Sequence, residues 1–582
     1  MPIEQLPIPC YYDKQRFTQF GSQDCANWYI VNAPTGKAQN AMYPAMGRKH
    51  IRFLDRNRFV FEVQPRTIFK SINYFYVVVG TRVLQYDRFY NERNLGDVSL
   101  TGNIWSAFLP IGNLVYVMIT DEKFVYVITE GSSPTMQQVT DANTPVNPQY
   151  VAAFGDRFVV SSKGTPNFSL TAIDLGGSVF DPATCFTING APLFARASGI
   201  IQQFAVLHAQ LYIFNDFSAD VWANIPTQFT VAGATTEFPW KLNTSYNFDY
   251  GLADPHSLSV DFGRMTWLAK NSNGLVSFMM STGGAPQDIS SQAINVLLEQ
   301  SNRDDGLSPF LTNESDGFMY QYENTIFYRV SAGRFLDFQL LDIQDSANAI
   351  EFNFATQTWA RVIELNGERN RIQKHVFFNN THIVTVEQDT ALYAMAGNIY
   401  HNELRNPDAE PQADDAFLKF PMRYELTTKQ LFLPDYSEFI DDYIEIDFVF
   451  GEETFYRNNN PFLNAVYIVD ETSTDDVPVY LLTEDDEYII AEGSNTPSFD
   501  DNHYYALFKP HIELYYSDNG GVTFFSADVR EFSNLGVYRW RMRWYELGAS
   551  RNRCYRLVCV SSAPIVILGA VRNTRRVSGG GN

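Results

Sequence analysis

At 582 residues the chain is long enough for two or more domains with full cores, and an apolar content of 45% excludes a disordered polymer. Its formal net charge of −23 is the reverse of the basic footprint with which nucleic-acid binders displace counterions, so the chain as a whole repels DNA and RNA unless a local basic surface overrides the field. Aromatic residues reach 15%, with 46 Phe and 33 Tyr, which favours pleated sheet, while charged residues are held to 19%, a level that points to large protein–protein surfaces.

Residues 1–50 read as an extended arm with few regular elements. Met1 to Cys10 holds Glu4 and three prolines but no apolar core, so no signal peptide is expected. Further on, Trp28 to Val31 is a predicted strand, and turn signals follow at Pro34-Thr35-Gly36 and at Pro44 to Gly47.

Hairpin units then begin. Each is a β-prone run, a polar turn and a second β-prone run. They start at Ser71, Gly112, Gly155, His208, Gly263, Glu323 and Asn379, roughly 41 to 60 residues apart. A strand-only repeat of about 40 to 50 residues is the period of a propeller blade, a small sheet that cannot bury both faces alone and gains its core by radial stacking. The expected fold is therefore all-β: a six- or seven-bladed β-propeller over residues 51–404, one blade of which is completed by the amino-terminal arm. Trp222, Trp240 and Trp267 are expected in the blade cores.

The run RNPDAEPQADDA, Arg405 to Ala416, has two prolines and four acidic residues and reads as a linker. Residues 417–582 form a carboxy-terminal, β-sandwich-like domain with an acidic insertion at 470–502, read as an inserted hairpin or lobe. Within that domain Tyr538 to Trp544 alternates strictly. Tyr538, Trp540, Met542 and Trp544 occupy one face, and Arg539, Arg541 and Arg543 the other. With Arg551, Arg553 and Arg556, and Arg572, Arg575 and Arg576 near the tail, this is the cationic concentration of the chain. Its candidate partners are nucleic acid or the acidic surface of a neighbouring subunit.

No other chemistry is expected. The cysteines, Cys10, Cys25, Cys185, Cys554 and Cys559, are odd in number and lack a framework spacing, which predicts reduced thiols. Cys554 and Cys559 sit five apart on a predicted strand, so they point to opposite faces and make no metal pair. No HExxH, Cys/His pattern, GxSxG, P-loop or GxGxxG is present, and His375 and His382 read as ordinary strand histidines. The acidic clusters between Asp470 and Glu487 lack the alternating ligands and turn glycine of an EF-hand loop. No catalytic residue, cofactor or metal is therefore assigned. No run approaches the roughly 20 apolar residues of a membrane span. Ser517-Asp518-Asn519-Gly520-Gly521-Val522-Thr523-Phe524 resembles the Asp-box hairpin of sialidases, with Asp518 expected to accept from backbone amides of the turn and Phe524 in the place of Trp. It occurs once and outside the repeats.

The series SADVW (Ser218 to Trp222), FPW (Phe238 to Trp240), YGL (Tyr250 to Leu252), HSLSV (His256 to Val260), WLAKNSNG (Trp267 to Gly274) and DISSQAI (Asp288 to Ile294) resembles the tail hub, or nozzle, proteins of short-tailed bacteriophages, also called packaged-DNA stabilisation proteins. CANWYIVNAPTGKAQNAMYPAMG, from Cys25, is similar to their amino-terminal segment, and FNFATQTW (Phe352 to Trp359) to a strand near the end of their propeller region. The resemblance covers residues from about 20 to 360, in order; YSDNGG and RWYELGASRNR further on are less specific. It implies a virion protein of the phage tail, assembled in the host cytoplasm as a homohexameric ring. That ring would sit below the portal and adaptor, prolong the DNA ejection channel, help retain packaged DNA and anchor tail fibres, tailspikes or a needle. DNA would pass through without specific binding. Six copies would carry roughly −138, and a channel of the same sign as DNA does not grip phosphates. The alternative is a virion-associated propeller glycosidase or glycan-binding protein, resting on the Asp-box-like turn and the aromatic surplus.

Overall fold

The computed structural model describes residues 3–7, 10–14, 21–32, 40–54, 65–171, 181–188, 191–231, 234–243, 248–301, 315–331, 349–387, 389–405, 417–450, 467–468, 479–480, 510–532 and 539–577. The chain divides into two units. One comprises residues 51–359 and 369–394, the other residues 1–50, 360–368 and 395–582.

The first unit is a β-propeller of seven blades. The innermost strands are Pro65–Lys70, Trp105–Ile111, Pro148–Phe154, Gln203–Leu207, Ser259–Asp261, Asp316–Tyr322 and Ile372–Phe378. They follow one another around a ring that closes where Ile372–Phe378 meets Pro65–Lys70. The predicted hairpin units are the two middle strands of each blade. In blade 1 they are Phe75–Val79 and Arg82–Tyr86, and in blade 4 Gln210–Phe214 and Ala219–Ala223. These strands carry unbroken apolar runs because both of their faces are covered by neighbouring blades. Tyr76, Val78 and Val83 of blade 1 pack with Val117, Ile119 and Ile128 of blade 2. Leu211, Ile213 and Trp222 of blade 4 pack with Val159, Phe168 and Leu170 of blade 3.

Blade 7 draws three strands, Ile372–Phe378, Thr381–Val386 and Ala391–Ala396, from its own stretch of sequence. Its fourth is Gly47–Phe53, which hydrogen-bonds beside Ala391–Ala396, and Leu54 N–H donates to the Thr390 carbonyl at 3.0 Å. Blade 7 is thus the one completed from the amino-terminal side. Among the described residues there is one α-helix, Gln292–Ser301, which the strand-only reading did not anticipate; Ala293, Ile294 and Leu298 are its buried side chains.

The second unit is a β-sandwich. One sheet contains Trp28–Asn32, Asn40–Pro44, Ile565–Arg576, Phe439–Phe450 and Arg539–Tyr545; the other contains Ser22–Ala26, Phe417–Thr427, Cys554–Ser561, His511–Ser517 and Phe525–Glu531. Their inner faces share one core, with Trp28, Ile446, Phe448 and Trp544 on the first side and Tyr424, Leu426, Leu514 and Leu557 on the second. The Trp28 and Tyr424 rings stack at 5.2 Å.

Three expectations change here. Residues 1–50 are not an arm standing apart: Ile3–Gln5, Ser22–Ala26, Trp28–Asn32 and Asn40–Pro44 are strands of the sandwich, because their apolar side chains find partners more than 350 residues away. The boundary expected at 404 falls at 394, and Arg405 ends the strand His401–Arg405, which pairs antiparallel with Phe417–Thr427. The acidic run therefore joins two paired strands of one unit instead of linking two domains; residues 406–416 themselves lie outside the described residues. Cys10 and Cys25 are joined in a disulfide, so the reduced-thiol reading fails for that pair, whereas Cys185, Cys554 and Cys559 are free and buried. Of the acidic insertion 470–502, only Val479–Tyr480 is described, paired with Tyr467–Ile468.

A Cβ added at Gly251 would lie 2.2 Å from Phe217 N and 2.3 Å from Asn215 O, both backbone atoms that cannot give way. Gly251→Ala should therefore lower stability by about 1–3 kcal/mol in urea unfolding. Gly284→Ala, with nothing within 4 Å, should stay within about 0.5 kcal/mol of the parent. Equal midpoints for the two variants would contradict this close approach.

Candidate functional site

Five of the arginines singled out in the sequence, Arg539, Arg541, Arg543, Arg575 and Arg576, are each paired within the chain. Arg539, Arg541 and Arg543 lie on Arg539–Tyr545, an edge strand whose register sets Arg543 opposite Glu445, Arg541 opposite Asp447 and Arg539 opposite Val449. Met542 and Trp544 point into the sandwich core, as the alternation requires. The outward guanidiniums are roughly half exposed, yet each meets a carboxylate on the neighbouring strand. Arg539 Nε donates to Asp447 at 3.0 Å, Arg543 Nε donates to Glu445, and Arg541 lies 3.7 Å from Glu445 and 3.8 Å from Asp447. Hydrogen bonding to Glu445 holds the Arg543 guanidinium above its ordinary range. Arg575 pairs with Asp442 at 2.8 Å and Arg576 with Asp435 at 3.0 Å. A phosphate approaching any of these groups has to compete with an intrachain carboxylate, so the ladder is a weak grip for nucleic acid.

The SDNGG turn differs from its expected mechanics. Ser517 Oγ accepts from Gly521 N at 3.0 Å, and Asn519 Oδ1 accepts from Thr523 N at 3.0 Å. Asp518 instead receives the buried Arg553 guanidinium, with Nε at 2.8 Å and the second contact at 3.2 Å. The turn is held by Ser517 and Asn519, and its aspartate is a counter-ion.

A second place, not assembled in the sequence reading, lies inside the propeller. At the starting ends of the inner strands of blades 1, 2, 6 and 7, next to the turn Pro255–Ser257, is a cavity of about 200 Å³ whose lining includes Trp105, His256, Asp316, Phe318, Lys374 and His375. Asp254 caps the short turn, accepting from His256 N at 2.9 Å, and its other oxygen accepts from Ser315 N at 2.9 Å. Gly317 lets the blade 6 strand approach closely: a Cβ there would come 2.5 Å from the Ser257 carbonyl. That approach brings Asp316 near His256. Lys374 then bridges the two, donating to Asp316 and, at 3.3 Å, to His256 Nδ1.

Burial sets the protonation states. It pulls the His256 imidazole well below its ordinary value, with the Lys374 charge acting in the same sense. It raises Asp316, although the Lys374 ammonium opposes that shift, and it raises Asp254 to about 6. His375 stacks on Phe318 at 4.8 Å and meets His382 at 3.0 Å, Nε2 to Nδ1; burial lowers both imidazoles. They are strand histidines as expected, on Ile372–Phe378 and Thr381–Val386, but His375 also lines the cavity. Among the described residues no group of three or more His, Cys, Asp or Glu converges as a metal site, and no helix is long and apolar enough to cross a membrane.

No protein-family model and no curated protein matches the sequence. Solved structures with a similar course of chain include virginiamycin B lyase from Staphylococcus aureus (6% identity, 60% of this chain and 99% of that one, TM-score 0.33). The WD40 domain of Pan2 from Neurospora crassa (5%, 60% and 94%, 0.34) and the N-terminal domain of Nup159 (10%, 63% and 97%, 0.30) are also similar. Likeness at this level carries no argument about chemistry.

Asp254 yields a pH prediction. Its folded pKa lies above the ordinary 3.8, so the folded state holds the extra proton between about pH 4 and 6, and stability falls as pH rises through that window. The loss is about 3 kcal/mol. Urea unfolding of the parent and of Asp254→Asn at pH 4 and 7 should show the variant gaining on the parent by a comparable amount at the higher pH. A pH-independent difference would refute the assignment.

Proposed function

We propose that the chain is a non-catalytic structural subunit of a short bacteriophage tail, a nozzle or hub protein that closes with five further copies into a ring around the path of ejected DNA. The observation that carries this reading is the ordered series of motifs from Cys25 to Trp359, together with the work those residues do in the fold. In SADVW, Asp220 ties the blade 4 strand to Ser198, accepting from its N at 2.7 Å and its Oγ at 2.6 Å. The Trp267 indole of WLAKNSNG donates to the Gly251 carbonyl of YGL at 3.1 Å. In HSLSV, Ser257 Oγ accepts from Leu268 N at 3.0 Å, and the Ser257 carbonyl accepts from the Tyr328 hydroxyl at 2.7 Å. The Trp359 indole of FNFATQTW donates to the Ile289 carbonyl of DISSQAI at 2.7 Å. The shared residues fasten the blades and leave no reactive group in common, as suits a family whose members share a frame. Trp222, Trp240 and Trp267 are likewise buried in blade cores.

Electrostatics supports the same reading. The chain carries −23, and its conspicuous arginines are neutralised internally, so DNA of the same sign meets no adhesive cation ladder. Adaptor, fibres or needle would dock on its loops, as head-to-tail rings leave both faces free. The glycosidase or glycan-binding alternative drew on the SDNGG turn, whose mechanics are those of an ordinary hairpin.

Negative-stain images and native mass spectra of the full chain should show sixfold rings or, with the adaptor present, adaptor-nucleated hexamers. The same preparation should not shift duplex DNA at physiological salt, about 0.15 M. A chain that stays monomeric in both conditions, or that depolymerises a polysaccharide, would exclude the nozzle assignment.

A further inference from the structure

The hydrogen-bond network around the propeller cavity fixes what it presents. The Gln321 carbonyl can only accept, so His382 Nε2, at 3.1 Å from it, carries the proton and its Nδ1 is a lone pair. His375 Nε2, at 3.0 Å from that lone pair, therefore donates, which leaves His375 Nδ1 as an acceptor. On the opposite side Lys374 can only donate, so His256 Nδ1 accepts from it, and the neutral ring carries its proton on Nε2. Lys374 has used two of its three N–H groups, on Asp316 and His256, and Asp316 has used Oδ1. Among the described residues the third Lys374 N–H, His256 Nε2–H, Asp316 Oδ2 and His375 Nδ1 have no protein partner.

Two donors and two acceptors thus remain on residues that line one cavity. The two imidazoles are backed by rings, His256 by Trp105 at 4.6 Å and His375 by Phe318 at 4.8 Å, so their orientation is set before a ligand arrives. The charges of Lys374 and Asp316 cancel, and the third charged lining residue, Arg66, spends its guanidinium on the Gly80, Ser99 and Gly102 carbonyls. An anion would have to displace Asp316 from Lys374 in a chain of strongly negative charge, and a cation would face the Lys374 ammonium. A hydroxyl group both donates and accepts, so adjacent hydroxyls satisfy all four groups without changing the charge balance. At about 200 Å³ the cavity is below the roughly 300–1,000 Å³ of pockets that take drug-sized ligands, and it suits a single small ring.

We infer that this cavity binds a neutral polyol of the size of one hexose, held between Lys374 and His256 as donors and Asp316 and His375 as acceptors. The site does not depend on ring assembly and goes beyond the structural role proposed above.

The test is saturation-transfer NMR and calorimetry on the full chain with glucose, galactose, mannose and N-acetylglucosamine, and with inorganic phosphate as the anionic probe. At least one sugar should bind with a Kd on the order of 1 mM. His256→Phe removes a donor and His375→Phe an acceptor, while each keeps a ring for the stacking. Each should weaken binding at least tenfold with its thermal midpoint retained; if either variant is unfolded, Ser106→Phe, which fills the cavity from its wall, takes its place. No saturable binding of any of the four sugars, binding of phosphate alone, or sugar affinity unchanged in the folded variants would overturn the inference. Because the readout is sugar binding to the soluble chain, its failure leaves the ring assignment standing, and the converse also holds.

Discussion

The propeller depends on one constraint: a four-stranded blade with two apolar faces has no stable existence until both faces are covered. Phe158 and Val160 of blade 3 pack against blade 2, while Val159 and Leu170 pack against blade 4. The period-2 alternation of side chains thus assigns successive residues of one strand to different neighbours. Every blade is load and support at once, so the ring must close, and the pairing of Gly47–Phe53 beside Ala391–Ala396 lets it do so without leaving blade 7 short. With that closure, Val376, Phe378 and Ile383 of blade 7 share a core with Ile68, Val77 and Leu84 of blade 1.

Closure also brings distant residues together. The segment around His256, Asp316 and Lys374 belong to three successive parts of the ring, separated by about 60 residues each, and they meet because inner strands start at the same end. The cavity's polar groups cost desolvation that burial alone cannot repay, and the Lys374 bridge offsets part of it by serving a carboxylate and an imidazole together. The sandwich treats its charges differently. Arg361 meets both Asp24 and Glu425, and buried Arg48 forks onto Glu364, which ties strands from widely separated parts of the sequence into one unit.

Legibility in the sequence followed the number of buried faces and the distance to the partner. The middle blade strands, such as Phe75–Val79 and Leu114–Thr120, were plain because almost every residue is apolar. The cationic strand Arg539–Tyr545 was plain from its alternation, but its carboxylate partners lie on Phe439–Phe450, about a hundred residues earlier, and no local pattern reveals such pairing. Of residues 1–50 the strand at Trp28 was plain, but its place in a sandwich was obscure for the same reason: its partner Asn40–Pro44 meets Ile565–Arg576, and a five-residue segment carries little signal of a partner that remote. At the candidate site His375 was visible as one of a pair, whereas Asp254, Asp316 and Lys374 had nothing local to distinguish them. The SDNGG turn was legible as a turn and misread in its bonding, since the buried Arg553 that claims Asp518 comes 35 residues later.

The sandwich is built from the two ends of the chain with the propeller between them, and this order matters during synthesis. The propeller has all its strands once residue 394 has been made, but Trp28 and Met42 must wait for Ile565–Arg576. At ribosomal rates of about 5–20 residues per second, the amino-terminal strands wait roughly 30–100 s with apolar side chains and open edges exposed. Trp28–Asn32 and Asn40–Pro44 are made long before Ile565–Arg576 and complete their sheet only after it, so the nascent chain carries a long-lived adhesive segment. A cell producing this protein has to shield that segment, by a chaperone or by the speed of translation itself.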